Sequence, residues 1–297
     1  MQLPNNSDIF KNIVTEKIRT YCDTKIWPYE YDQFAAWLHN FDCKIEEYIA
    51  LQLLDNLIVR SKDMAKSSYS RLLDGQIRQH LIQFSNLEIG TIHEWKNKLS
   101  HGTLANRLSI TPVQLEEGGS GNTLYRMLSP EIDTKRYSLS KSQSKPEVII
   151  IIDDIIGSGK QFLEFARKFN LAERLQSTQV LYCPLIGFEV GITNIQEIYP
   201  NLHIIPAEHI YKSDSLFYGD EKDFFKNDRQ NTIGDVKAHL KSMQEKYAPN
   251  MSDWFGFEDA ALPLTFEWGC PNQSPALLYI KTSKVQKNWQ QLFSRRS

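Results

Sequence analysis

Apolar residues recur at helical spacing through roughly the first hundred positions. Ile9, Ile13, Ile18 and Tyr21 give a rough stripe, and Phe34, Trp37, Leu38 and Phe41 give a second. Ile45, Tyr48, Ile49, Leu53 and Leu57 make a third, with Leu51, Leu54 and Ile58 off it, so this helix is expected to be buried on more than one side. Pro28 suits a helix start before the second segment, and Asp42 suits a cap for the third with Glu46 near the dipole's positive end. Arg60–Ser70 is largely polar, and a fourth helical pattern runs through Leu72, Ile77, Leu81 and Ile82. Short helices followed by a polar, hairpin-like stretch admit a winged helix-turn-helix, with Arg60, Lys62, Lys66, Arg71 and Arg78 turned toward phosphates. The plainer reading is a helical docking or dimerisation domain with solvated charges, because isolated cations are a weak sign of nucleic-acid contact.

Near residue 105 the period changes. Ile110–Leu115 suits a short strand, and Val148–Ile152 is the unbroken β-branched run of a parallel strand covered on both faces. Lys160–Phe169 returns to helical spacing, with Phe162, Phe165, Ala166 and Phe169 on one face. Gln179–Ile186 and Leu202–Pro206 supply further strands. This alternation predicts an α/β fold with a mostly parallel sheet. The predicted division is a helical domain, residues 1–104, and an α/β domain, residues 105–297. Ser138–Pro146 is expected to be a loop, and Tyr218–Asn231 fits no element.

Composition narrows the function little. With 297 residues and a formal charge of -2, the chain has no bulk charge that marks a nucleic-acid or membrane binder. Cys22, Cys43, Cys183 and Cys270 form no CxxC pair, which argues against a zinc cluster or a disulfide framework and for reduced thiols in a cytoplasmic protein. The histidines have no ligand spacing, so no histidine metal site is expected. The polar start, Met1–Phe10, does not suit a secretory signal, and the longest apolar runs are too short to span a bilayer.

The chemistry concentrates in Val148–Gln161. An apolar strand leads into Asp153 and Asp154, then Ile155 and Ile156, then Gly157-Ser158-Gly159, then a helix opening with Lys160 and Gln161. Carboxylates at the carboxyl edge of a parallel sheet lie where α/β proteins bind ligands. Glycines let backbone approach an anion, and the free N–H groups of a helix start attract it. An anion cradle beside an acid pair suits a sugar phosphate: the loop holds phosphate, and the carboxylates accept ribose hydroxyls. Two rivals fail on spacing. A Walker A loop requires glycine and Ser/Thr where Asp154 and Gln161 stand, and a dinucleotide fingerprint requires glycine where Phe162 stands.

This stretch resembles the ribose-phosphate motif of type I phosphoribosyltransferases. The resemblance implies that Asp153 and Asp154 contact ribose, that Gly157, Ser158, Gly159, Lys160 and Gln161 bind the 5′-phosphate of phosphoribosyl pyrophosphate, and that Mg²⁺ accompanies the ligand. Gly118, Gly119, Ser120, Gly121 and Asn122 stand in the order of the family's pyrophosphate loop, with Arg126 adding charge. Lys135, Arg136 and Lys141 lie where the family carries a basic hood, but this interval shows no clear second strand. The tail, from Trp254 through Cys270-Pro271-Asn272 to Trp289, Leu292, Phe293 and Arg295, resembles phosphoribosyltransferase-like effectors of bacterial anti-phage systems, some of them retron-associated. Ala276 and Tyr279 depart from that pattern. The resemblance implies a toxic effector acting by ribosyl transfer or glycosidic cleavage, with Asn272 a candidate base reader and a reverse transcriptase with its DNA or RNA a candidate partner of the N-terminal domain. The alternative is a catalytically inactive nucleotide sensor that controls a partner through that domain.

Overall fold

The computed structural model describes residues 1–114, 121–139, 145–217, 225, 228–281 and 288–296. In chain order the elements are α1 (Ser7–Asp23), α2 (Tyr31–Leu38), α3 (Lys44–Asp55), β1 (Ile58–Arg60), α4 (Lys62–Leu72), α5 (Arg78–Phe84), α6 (Ile92–His101) and β2 (Leu108–Pro112). There follow α7 (Gly121–Met127), α8 (Thr134–Tyr137), β3 (Val148–Ile156), α9 (Lys160–Lys168), α10 (Leu171–Arg174) and β4 (Gln179–Phe188). The last are α11 (Glu189–Ile198), β5 (His203–Ile204), β6 (Glu208–Ile210), α12 (Ile233–Tyr247) and β7 (Leu264–Phe266). The chain forms two compact units: Met1–Ser61 with Lys212–Arg296, and Lys62–Tyr211. The boundary expected at residue 104 falls inside the second of these.

In the first unit, helices α1–α3 and the C-terminal segments share one core. The buried row of α1 is Phe10, Val14, Ile18 and Cys22, whereas Ile9 and Ile13 are 65% and 60% exposed. Two apolar rows lie side by side on this helix, and the row carrying the aromatic ring turns inward. Helix α3 is buried on several sides, with every residue from Tyr48 to Leu54 inside. Asp42 does not cap it: Cys43 is the N-cap residue, and the Asp42 carboxylate pairs with Lys246 instead. Strands β1 and β7 pair in parallel, from Ile58 with Leu264 to Arg60 with Phe266. The tail is bound to the first helices. The Trp37 indole donates to the Leu277 carbonyl at 3.2 Å, and Asn40 exchanges two hydrogen bonds with the Gln290 backbone at 2.8 and 2.9 Å. Phe293 packs on Tyr29 and Phe34, and Trp289 on Phe41 and Tyr247.

In the second unit, the polar stretch read as hairpin-like is helix α4, which buries Ala65, Tyr69 and Leu72 at helical spacing and turns its polar residues outward. A single π turn, Leu73–Ile77, joins it to α5. The sheet has five strands, all parallel, in the order β2-β3-β4-β5, with β6 also on β4. Strand β3 is buried at every position, as its β-branched run requires. No described helix is long and apolar enough to cross a membrane. All four cysteines are free thiols, three of them buried.

Candidate functional site

The acid pair lies inside strand β3, not beyond its end. Its position on the sheet matters. Strand β2 pairs with β3 only as far as Pro112 opposite Ile152, while β4 continues alongside to Gly187 opposite Ile156. Asp153 and Asp154 therefore stand just beyond the last residue of β3 paired with β2, with β4 still alongside.

The two carboxylates have different settings. Asp153 is 2% exposed, and both of its oxygens are engaged: Oδ1 accepts from the Asp154 N–H at 2.9 Å, and Oδ2 accepts from the Tyr182 hydroxyl at 2.8 Å. Tyr182 in turn stacks on Phe162 of α9 with ring centroids 3.9 Å apart, so Asp153 is tied to the first turn of that helix. Asp154 has no exposed surface, and strand alternation turns its side chain to the opposite face. Nearby, the Tyr69 hydroxyl donates to the Cys183 carbonyl at 2.7 Å. Burial, then the neighbouring Cys183 and Asp153, pushes the Tyr69 phenol well above its usual range.

Gly157, Ser158 and Gly159 form the turn from β3 into α9. Gly159 is in the left-handed region, with φ +85°, and a Cβ there would lie 2.9 Å from the Gly191 carbonyl oxygen. Conversely, a Cβ on Gly191 would lie 2.1 Å from the Gly157 carbonyl oxygen. The Asn194 amide donates to the Ser158 carbonyl at 3.0 Å. Helix α11 thus braces the loop backbone through Gly191 and Asn194. Gly159 offers no side-chain cap and the first turn of α9 carries no acid, and the Ser158 hydroxyl oxygen accepts from the Lys160 N–H at 3.4 Å. Lys160 and Gln161 are exposed at this end. The arrangement is a braced glycine loop at a helix start beside a buried carboxylate pair.

The other expected residues divide. Gly118, Gly119 and Ser120 lie outside the described residues, as does Lys141. Gly121 and Asn122 open α7, on which Arg126 is exposed. Helix α7 is pinned by the Tyr125 hydroxyl, which donates to the carbonyls of Ile110 at 3.1 Å and Thr134 at 2.8 Å. Asn272 belongs to the other compact unit, where its side-chain oxygen accepts from Arg295 Nε at 3.1 Å and Nη2 at 3.0 Å. Tyr182, Tyr69, Gly191 and Asn194 escaped sequence reading. Only Gly191 carried a signal: a glycine one turn into a helix weakens it, which marks a close backbone approach. Among the described residues no three His, Cys, Asp or Glu side chains converge on a metal position.

A parallel sheet with this strand, loop and helix start defines a phosphoribosyltransferase-like α/β protein. The PRTase-CE family profile matches residues 34–295, and the chain belongs to that family. The solved structure of orotate phosphoribosyltransferase from Aeropyrum pernix matches at 13% identity with a TM-score of 0.25; the match covers 38% of this chain and 64% of that one. No curated protein gives a significant match.

Proposed function

We propose that the second unit binds a phosphoribosyl ligand, phosphoribosyl pyrophosphate or a nucleotide, and that the chain acts on it by ribosyl transfer or glycosidic cleavage as an effector of bacterial anti-phage defence. The observation that carries the ligand class is the Gly157–Gly159 loop, clamped by Gly191 and Asn194 and leading into the start of α9, whose first turn carries no acid. Such a loop offers backbone N–H groups to a phosphate at no reorganisation cost. Asp154 then takes the ribose hydroxyls and offsets the positive charge that builds on the ring as the anomeric bond breaks. Asp153 acts as a positioning residue, because its oxygens hold the Asp154 backbone and Tyr182. Mg²⁺ would be held mostly by ligand oxygens and water, and it would supply charge neutralisation to the diphosphate.

The defence role rests on the tail's resemblance to anti-phage effectors. A reverse transcriptase with its nucleic acid fits as partner of the N-terminal region on the same ground. The second reading, an inactive nucleotide sensor, draws support from the engaged state of Asp153. Phosphorus NMR of the full chain with phosphoribosyl pyrophosphate, Mg²⁺ and candidate acceptors separates the readings. Release of pyrophosphate by the wild type and not by Asp154→Asn supports the enzyme. Saturable binding without turnover under every condition supports the sensor. No binding at all overturns both.

A further inference from the structure

The first unit holds a cavity of about 440 Å³, which falls within the range of small-molecule sites. Arg295 and Lys281 line it, with Asp253 also on the wall and Met251, Ile280 and Tyr279 supplying the apolar surface. The charges do not neutralise one another. Among the described residues Lys281 has no ion pair, and the Asp253 carboxylate accepts no side-chain hydrogen bond. Arg295 is held in place: Nε and Nη2 both reach the Asn272 side-chain oxygen, and the guanidinium lies 5.6 Å from the centroid of the Tyr279 ring. Tyr279 is 3% exposed, and its hydroxyl meets no partner among the described residues. A buried hydroxyl left without a partner is costly and uncommon.

A fixed guanidinium beside an ammonium recognises a phosphate or carboxylate. A carboxylate on the same wall requires a hydrogen-bond donor from the ligand, and the apolar walls require a flat or apolar body between the two. We propose that this cavity is a separate small-molecule site for a nucleoside monophosphate. The phosphate meets Arg295 and Lys281, the base lies against Met251 and Ile280, and a ribose hydroxyl or base amine donates to Asp253. Asn272 serves this site as a positioning residue, through Arg295. The proposal does not rest on the ribosyl site of the second unit.

The test is calorimetric titration of AMP, GMP, CMP and UMP, and of inorganic phosphate, into the full chain carrying Asp154→Asn, in which the ribosyl site is weakened, with Arg295→Ala telling the two sites apart. At least one mononucleotide is expected to bind saturably and at least tenfold more tightly than phosphate. Adding Arg295→Ala should weaken it tenfold or more. Lys281→Ala should weaken it several-fold without lowering the thermal midpoint of the free protein, since Lys281 makes no ion pair among the described residues. No saturable binding in the Asp154→Asn chain, affinity no better than that of phosphate, or affinity unmoved by both Arg295→Ala and Lys281→Ala overturns the proposal.

Discussion

Residues 148–161 build strand, acid pair, loop and helix start from one continuous segment, whereas the first unit assembles its core from both ends of the chain. Asn40 and Gln290, bonded to each other there, are 250 positions apart. Both regions bury carboxylates, but they satisfy them differently. Asp153 is satisfied by its own strand and the neighbouring one. Glu46 is satisfied by the Asp42 backbone N–H, by Lys246 at 2.8 Å and by Tyr247 at 2.5 Å, the last two on α12. In the proposed function the local carboxylate pair serves a ligand, whereas the long-range carboxylate network ties distant chain segments together. Mutations in the first should therefore change ligand binding beyond their effect on folding, and mutations in the second should change stability.

The largest effect is expected from Gly191→Ala. The added Cβ meets the Gly157 carbonyl oxygen and Ile156 Cγ2 at 2.1 and 2.6 Å. Overpacking of this kind costs about 3 kcal/mol, and the displaced loop should lose at least tenfold in affinity for phosphoribosyl pyrophosphate. A titration and a thermal melt with both values unchanged would show that α11 does not set the loop. Glu46→Ala comes next, at about 2–3 kcal/mol in urea unfolding, discounted because the Lys246 side chain is 42% exposed; ligand binding in the second unit should be unaffected. Burial alone would raise the Glu46 carboxyl, but Lys246, Tyr247 and the Asp42 N–H hold it below its ordinary value of 4.5. Its stabilisation is therefore present above about pH 4.5 and lost as pH falls through the lower folded value. Glu46→Gln should flatten that part of the stability–pH curve, and an unchanged curve would remove Glu46 from the account.

Tyr182→Phe removes one donor from a buried carboxylate and should cost about 1.5–2 kcal/mol. It should also weaken ligand binding, because Asp153 holds the Asp154 backbone; equal affinity in this variant would make Asp153 purely structural. The smallest effect belongs to Thr232→Ala. Thr232 forms a capping box with Asp235 at the start of α12, and its loss should cost about 1 kcal/mol in urea unfolding with no change in ligand affinity.

The same contrast explains what the sequence disclosed. Val148–Ile152, the acids, the glycines and the Phe162–Phe165–Ala166 face announce themselves because each signal lies within a few residues of the next. Strand β3 runs four residues past Ile152, since hydrogen bonding to β4 continues through the acids, and polar side chains conceal such an extension. Short strands β1 and β7 have three residues each and acquire strand character only by pairing with each other, so no periodicity marked them. The inward row of α1 could not be chosen from sequence, because two adjacent rows are apolar and the tertiary partner decides. Tyr182 and Asn194 were illegible for a related reason: nothing around them says that a hydroxyl meets Asp153 or that an amide meets the Ser158 carbonyl.

Binding of ribose 5-phosphate, which carries only the sugar and the 5′-phosphate, tests the central claim most directly. Titrated into the wild-type chain and into Asp154→Asn, it should bind the first saturably and the second at least tenfold more weakly, with both proteins melting cooperatively. Equal affinity in the two, or no binding to the wild type, would contradict the assignment of the Gly157–Gly159 loop and the acid pair to a ribose phosphate.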